Sequence, residues 1–215
     1  MKLKILLIAL TASLLALGAT AQNTSFGVRA GVNFTNINGK NGAGNDLDGK
    51  LKTGFNAGIN AEIPIAEDLY VKPGLLFSTK GAKDKNWDKV KYQLSYIEVP
   101  VNLLYKPELG DGKLLLGIGP YAAFAVGGSY TDPTGNKKDF EFAHDVTAAE
   151  ASTPHMKRMD YGGNLLAGYE FSSGLSFQLN AQLGLADIHS EVQGVGDKAK
   201  YKNTGFGVSV GYRFH

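Results

Sequence analysis

The chain contains no cysteine at any of its 215 positions. Disulfide staples, thiol nucleophiles, thiolate metal sites and a lipid-modified N-terminal cysteine are therefore all excluded. Long apolar runs are also missing: beyond the N-terminal segment, no stretch approaches the roughly 18 consecutive apolar residues of a transmembrane helix. Excess charge is missing as well. Because 22 basic residues face 20 acidic ones, the sequence has no electrostatic footprint for nucleic acid.

The N-terminus has the pattern of a secretory signal peptide. Two lysines precede an apolar run over residues 5–17, and the small residues 19–21 follow. This run is too short to span a bilayer comfortably, and polar residues interrupt it, so we predict a cleaved signal peptide over 1–21 rather than a membrane anchor. The remaining residues, 22–215, contain 20 basic and 20 acidic side chains and have the size of a single domain.

The clearest pattern in this domain is the alternation over residues 175–185. Every odd position is apolar, and every even position is Ser, Gln, Asn or Gly. A period of two is that of a β-strand. A strand in a water-washed sheet usually carries Lys or Glu on its polar face, and this strand carries neither. The pattern therefore predicts an enclosed polar face and a lipid-exposed apolar face, as in a transmembrane β-barrel.

The same alternation predicts eight strands, each with one consistent apolar face. They cover residues 26–35, 53–65, 69–79, 91–105, 113–127, 159–171, 175–185 and 203–214. We therefore predict an all-β fold, an eight-stranded antiparallel up-and-down transmembrane β-barrel domain over 22–215. Three connections are short, and the four longer ones cover 36–52, 80–90, 128–158 and 188–202. Because outer-membrane barrels place short turns in the periplasm and long loops outside, we expect both termini to be periplasmic.

Aromatic residues cluster at the two ends of the predicted apolar faces, where a membrane-spanning barrel carries its interfacial rings. The outer ends hold Phe34, Phe55, Phe77, Phe124, Tyr161 and Phe206. The periplasmic ends hold Phe26, Tyr105, Tyr169, Phe171, Phe177, Tyr212 and Phe214. The alternative, a general preference of aromatic residues for strands, does not account for their shared face. We therefore predict that these rings lie at the two lipid interfaces.

The predicted polar faces contain few charges, which distinguishes this barrel from a soluble barrel of the lipocalin type, apolar inside and hydrated outside. Those charges are Arg29, Lys72, Arg213, Glu62, Glu98 and Glu170, with Asp160 nearer the outer end. Enclosed charges stay ionised only when they are paired or hydrated. We therefore predict a mutually neutralising ionic network in the lumen. The alternative is that some of these side chains are solvated at the rim.

Several segments resemble a known family. They are Phe-Gly-Val-Arg-Ala-Gly-Val-Asn at 26–33, Val-Lys-Pro-Gly-Leu-Leu-Phe-Ser at 71–78, Tyr-Ile-Glu-Val-Pro-Val-Asn-Leu-Leu-Tyr at 96–105, Gly-Ile-Gly-Pro-Tyr at 117–121 and the closing Gly-Tyr-Arg-Phe at 211–214. In order and spacing they are similar to the Bacteroidetes-type outer-membrane β-barrel proteins of the PorT-like porin family. The resemblance covers essentially the whole mature chain and implies a small antiparallel barrel in the outer membrane of a Gram-negative bacterium. His215 departs from such barrels, which usually end on an aromatic residue.

The predicted barrel size limits the function. Eight strands enclose room only for their own side chains, so a packed polar lumen excludes a wide channel. We therefore expect a structural or interaction role at the cell surface, with a protein or surface ligand bound by the external loops, above all 128–158. The expected partners are outer-membrane lipid and the outer-membrane assembly machinery, and we expect a monomer. A narrow porin-like channel and an accessory role in protein export are the alternatives.

A surface lipid-modifying enzyme is the least supported alternative. Four residues with side chains suited to catalysis share the long loop, namely His144, Asp145, Ser152 and His155. They lack a recognisable spacing of nucleophile and base. Two groups of acidic residues also lie in loops, Asp46 with Asp48, and Asp139 with Glu141 and Asp145. Neither group fits a calcium-binding loop of about twelve residues. We therefore predict no catalytic residue, no metal site, no cofactor and no enzymatic activity.

Overall fold

The computed structural model of the protein describes residues 24–47, 49–85, 89–147, 155–192 and 199–214. The predicted signal peptide lies outside these described residues, as do Asp48, Ser152 and His215. Within the described ranges, no helix is long and apolar enough to cross a membrane.

Eight long strands form the fold. They are β1 (Ser25–Lys40), β2 (Gly49–Ala66), β3 (Leu69–Asp84), β4 (Lys91–Tyr105), β5 (Gly112–Thr131), β6 (Met159–Phe171), β7 (Leu175–Gly184) and β8 (Lys200–Arg213). Strands β4 and β6 have the predicted bounds, and most of the others extend farther toward the longer connections. The extension arises because backbone pairing continues past the apolar alternation, for example between Lys83 on β3 and Lys91 on β4.

The sheet closes on itself because β1 pairs with both β2 and β8. Val28 on β1 lies opposite Ile59 on β2 and Tyr212 on β8. The other neighbouring strands pair in sequence order, and every pair is antiparallel. Closure leaves the eight strands without an unpaired edge, as lipid requires, because exposed backbone groups there find no water. The predicted eight-stranded antiparallel barrel is thus confirmed.

The connections divide the barrel into two ends. Three short turns, after β2, β4 and β6, lie at one end together with the start of β1 and the end of β8. We call this the turn end. The four longer connections lie at the opposite end, which we call the loop end. Two of these connections contain short strands of their own, and they pair with one another through Asp145–Val146 and Glu191–Val192.

Side-chain exposure alternates along the strands with the predicted parity. On β7, Leu179 is 60% exposed and Phe177 is 51% exposed, whereas Ser176 and Gln178 are each 3% exposed. In water, such an apolar row would lose about 25 cal/mol for every Å² of apolar surface left uncovered. Lipid removes this cost, so the outward rows form the surface that a bilayer covers.

The lumen is filled by side chains, and it is less uniformly polar than the sequence predicted. Near the turn end, Leu104, Leu115 and Leu166 form a buried apolar layer against which Tyr70 packs. These leucines follow the lumen parity of their strands. An eight-stranded barrel must fill its interior at the density of a protein core, so shape as well as polarity selects its inward residues.

Candidate functional site

Five charged side chains lie close together in the lumen near the turn end. This turn-side cluster comprises Glu62, Lys72, Lys106, Glu170 and Arg213. Lys72 Nζ lies 3.0 Å from Glu62 Oε1, and Lys106 Nζ lies 2.6 Å from Glu62 Oε2. Lys106 Nζ also lies 3.1 Å from Glu170 Oε2, and Arg213 Nε lies 2.8 Å from Glu170 Oε1. Three cations therefore neutralise two carboxylates, and all except Arg213 are buried.

A second charged group lies farther toward the loop end. This loop-side cluster comprises Lys80, Glu98 and Asp160, all buried. Lys80 Nζ lies 2.9 Å from Glu98 Oε2 and 3.4 Å from Asp160 Oδ2. Neutral groups complete the site, because Gln182 donates from Nε2 to Glu98 at 2.5 Å and Asn203 donates from Nδ2 to Asp160 at 3.0 Å. One cation and several neutral donors thus stabilise two buried carboxylates.

The two clusters take the place of the single network that the sequence predicted. Glu98 contacts Lys80 rather than any of the predicted cations. Arg29 lies between the clusters and donates from Nη1 to Asn180 Oδ1 at 3.1 Å. Among the described residues, Arg29 forms no ion pair. Charges on different strands meet only where the strand registers bring them level, and a pattern along each strand does not reveal those levels.

The strand alternation does not predict two lysines that lie at the centres of the ion clusters. The sequence predicts Lys80 in a loop and Lys106 in a turn, yet each is the cation that joins two carboxylates. Both continue the lumen parity just beyond a predicted strand, Lys80 after Ser78 on β3 and Lys106 after Leu104 on β4. Extending the alternation by one lumen position would have found them.

An apolar cover closes the lumen above the loop-side cluster. Its residues are Leu94 and Tyr96 from β4, Tyr121, Ala123 and Ala125 from β5, and Phe140, Met156 and Ile188 from two of the longer connections. The loop residues are as deeply buried as the strand residues, with Met156 at 2% and Ile188 at 0% exposure. Two loops therefore fold into the barrel mouth instead of extending away from it.

Backbone hydrogen bonds hold the cover in place. The N–H of Phe140 donates to the carbonyl of Gly128 at 3.0 Å, and the N–H of Ile188 donates to the carbonyl of Tyr201 at 2.9 Å. The Tyr121 hydroxyl connects the cover to the charges below, since it lies 3.3 Å from the Asp160 carboxylate. From the loop end inward, the lumen therefore contains the cover, the loop-side cluster, the apolar leucine layer and the turn-side cluster.

A carboxylate orders the start of the connection that supplies Phe140. Asp132 Oδ1 accepts hydrogen bonds from the Thr134 hydroxyl at 2.6 Å and from the backbone N–H groups of Thr134 and Asn136, each at 2.9 Å. These bonds, with the Thr134 hydroxyl contributing most, hold the pKa of Asp132 below its usual range. The turn after β5 is thus fixed by a charged acceptor.

The histidines of the long loop form separate pairs instead of one catalytic group. His144 Nδ1 lies 3.1 Å from Asp145 Oδ1, and both side chains are exposed. His155 Nε2 lies 3.3 Å from Glu141 Oε2. Ser152, the hydroxyl considered with them, lies outside the described residues. In the described part of the chain, no group of three or more His, Asp or Glu side chains could hold a metal ion.

Lysines face one another across strands at the loop end. Lys50 on β2 lies opposite Lys83 on β3, which in turn lies opposite Lys91 on β4. Directly opposed like charges destabilise a sheet. Lys52 is buried nearby and donates from Nζ to the Thr53 carbonyl at 3.3 Å. We call Lys50, Lys52, Lys83 and Lys91 the basic rim; its positive charge makes it a site suited to anions.

The predicted interfacial aromatic residues all lie on outward rows, and none is buried. Several form ring pairs across neighbouring strands. Phe34 and Phe206 stack with centroids 5.4 Å apart toward the loop end, and Phe171 and Phe177 meet edge to face at 6.2 Å near the turn end. Pairs of this kind contribute about 0.5–1.5 kcal/mol beyond their buried area.

The closed sheet, apolar exterior and filled lumen define a small membrane-type β-barrel. The sequence model of the family described as "Outer membrane protein beta-barrel domain" matches residues 20–190. The chain therefore belongs to this family of outer-membrane barrels, and the outer membrane is its location. None of the curated protein sequences matches the chain.

Solved structures of outer-membrane barrels are similar to this chain. The outer membrane protein OprG from Pseudomonas aeruginosa matches with a TM-score of 0.52 and 13% identity, over 89% of this chain and 96% of that one. Neisserial surface protein A has a TM-score of 0.48 and 13% identity, over 89% and 99%. Ail of Yersinia pestis, crystallised with the heparin analogue sucrose octasulfate, has a TM-score of 0.43 and 14% identity, over 89% and 99%. At these identities the likeness concerns the fold alone.

Proposed function

We propose that this protein is a non-conducting outer-membrane barrel that acts as a surface interaction protein through its loop end. The observation that carries the proposal is the filled lumen. Met156 and Ile188 from the loops are buried in the barrel mouth, and ionic clusters occupy two levels below them. With the interior occupied by its own side chains, the loop end remains as the surface for recognition. In this proposal, the turn end and both termini face the periplasm.

The basic rim defines the chemistry of the partner. Lys50, Lys83 and Lys91 occupy directly opposed positions on three adjacent strands, which concentrates positive charge on one side of the loop end. Several fixed positive charges in a row match a polymer that carries repeated negative charges. The partner we propose is an anionic surface polymer, such as a sulfated or carboxylated polysaccharide.

Dextran sulfate and uncharged dextran provide a matched pair of probes for the basic rim. We expect the protein in lipid nanodiscs to bind dextran sulfate and not dextran, with an affinity that falls as salt rises. The combined Lys50→Gln, Lys83→Gln and Lys91→Gln variant should bind dextran sulfate about tenfold more weakly, or weaker still. Lys113→Gln, at the turn end of β5, is the control. Equal binding by the triple variant and the wild-type protein would contradict the proposal.

The other candidate functions have separate tests. A narrow channel would permit solute uptake in a liposome-swelling assay, and an export component would cause loss of secreted proteins when it is deleted. A surface lipid enzyme would lose lipid turnover in the His144→Ala or His155→Ala variant. No contact among the described residues favours any of the three over the proposed interaction role.

The PorT-like assignment is part of the same proposal. The segments at 26–33, 71–78 and 96–105 support it, because their order and spacing resemble those of that family. A Gram-negative host and a cleaved signal peptide over 1–21 go with it. N-terminal sequencing of protein recovered from outer-membrane fractions should begin at Gln22, and an intact N-terminus would overturn the cleavage prediction.

A further inference from the structure

A cleft at the loop end opens toward the lipid-facing side of the barrel. It has a volume of about 500 Å³ and lies between the start of β6, the end of the long loop and the residues after β7. Its floor includes Met159 and Tyr161, two outward side chains that are 51% and 53% exposed. Phe124, which lies opposite Met159 on β5, is also exposed. The cleft therefore sits at the upper edge of the apolar belt.

Arg158 supplies the charge of this cleft. Its guanidinium lies 4.6 Å from the ring centroid of Phe142 and 5.6 Å from that of Phe124, and Nη1 donates to the Ala125 carbonyl at 3.2 Å. Arg158 is exposed and forms no ion pair within the described part of the chain. The two ring contacts and the backbone hydrogen bond hold the guanidinium in position and leave most of its donors available, an arrangement suited to a phosphate group.

The neighbouring charges are already engaged. Lys157 Nζ lies 2.9 Å from Glu191 Oε1, so it adds positive potential but is partly neutralised. Asp187, which also lines the cleft, accepts at Oδ1 from the backbone N–H groups of His189 and Tyr201 at 3.1 and 2.9 Å. Arg158 is therefore the cation of the cleft that is left to bind an external anion.

Below the cleft, an apolar groove continues along the outer wall. It is lined by side chains of β5 to β8, among them Leu165, Ala167 and Ala181. Gly163 lies on the same outward row of β6, between Tyr161 of the cleft and Leu165 of the groove, and a Cβ placed there would meet nothing within 4 Å. On β6, therefore, no side chain stands between the cleft and the groove.

The length of this path fits one leaflet of a membrane. From Tyr161 to Ala167, a strand advances about 20 Å. At a strand tilt of about 40°, this is a depth of about 15 Å, or half of a hydrocarbon core about 30 Å thick. An acyl chain could therefore occupy the groove while its headgroup lies at Arg158.

We propose that the Arg158 cleft and the groove below it form a site for a phosphate-bearing lipid of the outer leaflet, with the phosphate on Arg158 and one acyl chain along Gly163 and Ala167. The proposal extends beyond polymer binding at the basic rim, which involves different strands. It rests on the prediction that Phe124 and Tyr161 lie at the outer lipid interface.

Lipid retention after detergent exchange tests the site. Lipid A with its phosphates and the same lipid after enzymatic removal of phosphate are the two probes, and native mass spectrometry counts the retained lipid. We expect retention of the phosphorylated form only, and an affinity about tenfold lower in Arg158→Gln, as for the loss of one charge-assisted hydrogen bond. Lys137→Gln, an exposed lysine outside the cleft, should retain lipid as the wild-type protein does.

A second pair of variants tests the groove independently of charge. Gly163→Leu should block the acyl path and reduce retention, and the open space at this position should leave folding intact. Gly127→Leu is the matched control, because a Cβ there also meets nothing within 4 Å and the residue does not line the cleft.

Three results would overturn the site. They are equal retention of the two lipid forms, unchanged retention in Arg158→Gln and Gly163→Leu, and displacement of the lipid by equimolar inorganic phosphate, which would indicate a site for the free anion. Dextran sulfate binding is measured separately. A failure of the lipid-retention test therefore leaves the basic rim proposal unaffected, and a failure of the dextran sulfate test leaves the lipid site unaffected.

Discussion

The two ion clusters in the lumen differ in their charge balance. In the turn-side cluster, Glu62 and Glu170 each contact two cations, and Lys106 is shared between them. In the loop-side cluster, both carboxylates depend on Lys80. In the turn-side cluster, each carboxylate therefore has a second cation in contact. In the loop-side cluster, Lys80 is the cation that both carboxylates share.

This difference shows what supports a buried charge when cations are scarce. Glu98 and Asp160 receive hydrogen bonds from Gln182 and Asn203, neutral groups that satisfy lone pairs without adding charge. In the turn-side cluster, the cations themselves donate the hydrogen bonds to the carboxylates. Removing one cation should therefore have very different effects in the two clusters, although both are enclosed by the same barrel.

The largest effect is expected for Lys80→Met. This variant leaves Glu98 and Asp160 buried without a cation in contact, which should lower the free energy of unfolding by about 3–5 kcal/mol. Urea titrations of the protein in lipid vesicles, followed by the gel mobility of folded and unfolded forms, measure the change. Adding Glu98→Gln and Asp160→Asn to the same chain should recover most of the loss. A triple variant as unstable as Lys80→Met would assign the effect to packing instead of charge.

A cation introduced on the lipid-facing wall gives a stability loss with which the losses in the lumen can be compared. Leu179→Arg places a charge on the lipid-facing row of β7, where Leu179 is 60% exposed. It should lower stability by about 2–4 kcal/mol in vesicles, since arginine is costly near the bilayer midplane. Leu179→Ala, with the same loss of leucine and no charge, should cost much less. If the two variants were equally stable, the assignment of this row to lipid would be wrong.

Lys106→Met should have a smaller effect than Lys80→Met, even though Lys106 also joins two carboxylates. Glu62 keeps Lys72 and Glu170 keeps Arg213, so neither acid is left alone. We expect a loss of about 1–3 kcal/mol in the same urea titration, corresponding to hydrogen bonds to charged groups. A loss equal to that of Lys80→Met would remove the distinction between the clusters.

The smallest effect is expected for Lys72→Met. Its removal leaves two cations with two carboxylates, and Glu62 remains in contact with Lys106. The free energy of unfolding should change by about 0–1 kcal/mol, because the cluster becomes balanced and one buried cation no longer has to be desolvated. A loss above about 3 kcal/mol would show that the excess positive charge is itself required.

Strand alternation was sufficient to predict the barrel from the sequence. It encodes which face of each strand is apolar, and closure follows because lipid leaves no tolerable edge. The bounds of β6 could be predicted because its outward row stays apolar, or glycine, from Met159 to Phe171. The loop ends of β1 and β3 could not be predicted, because polar residues there are held by pairing with other strands.

The residues that form the clusters and the cover were harder to predict from the sequence. Lys80 and Lys106 continue lumen parity, so a longer alternation would have included them. Phe140, Met156 and Ile188 have no such signal, since they lie in loops without periodicity and are buried only by contacts with distant strands. The filled barrel mouth is a tertiary feature that local patterns do not encode.

Single-channel recording of the refolded protein in planar bilayers tests the filled lumen most directly. The cover and the two clusters occupy the lumen at three levels. We therefore predict a bilayer without conductance steps, at protein levels where folded barrel is verified by its gel mobility. Steady conductance steps that depend on the folded protein would show that the lumen is not filled.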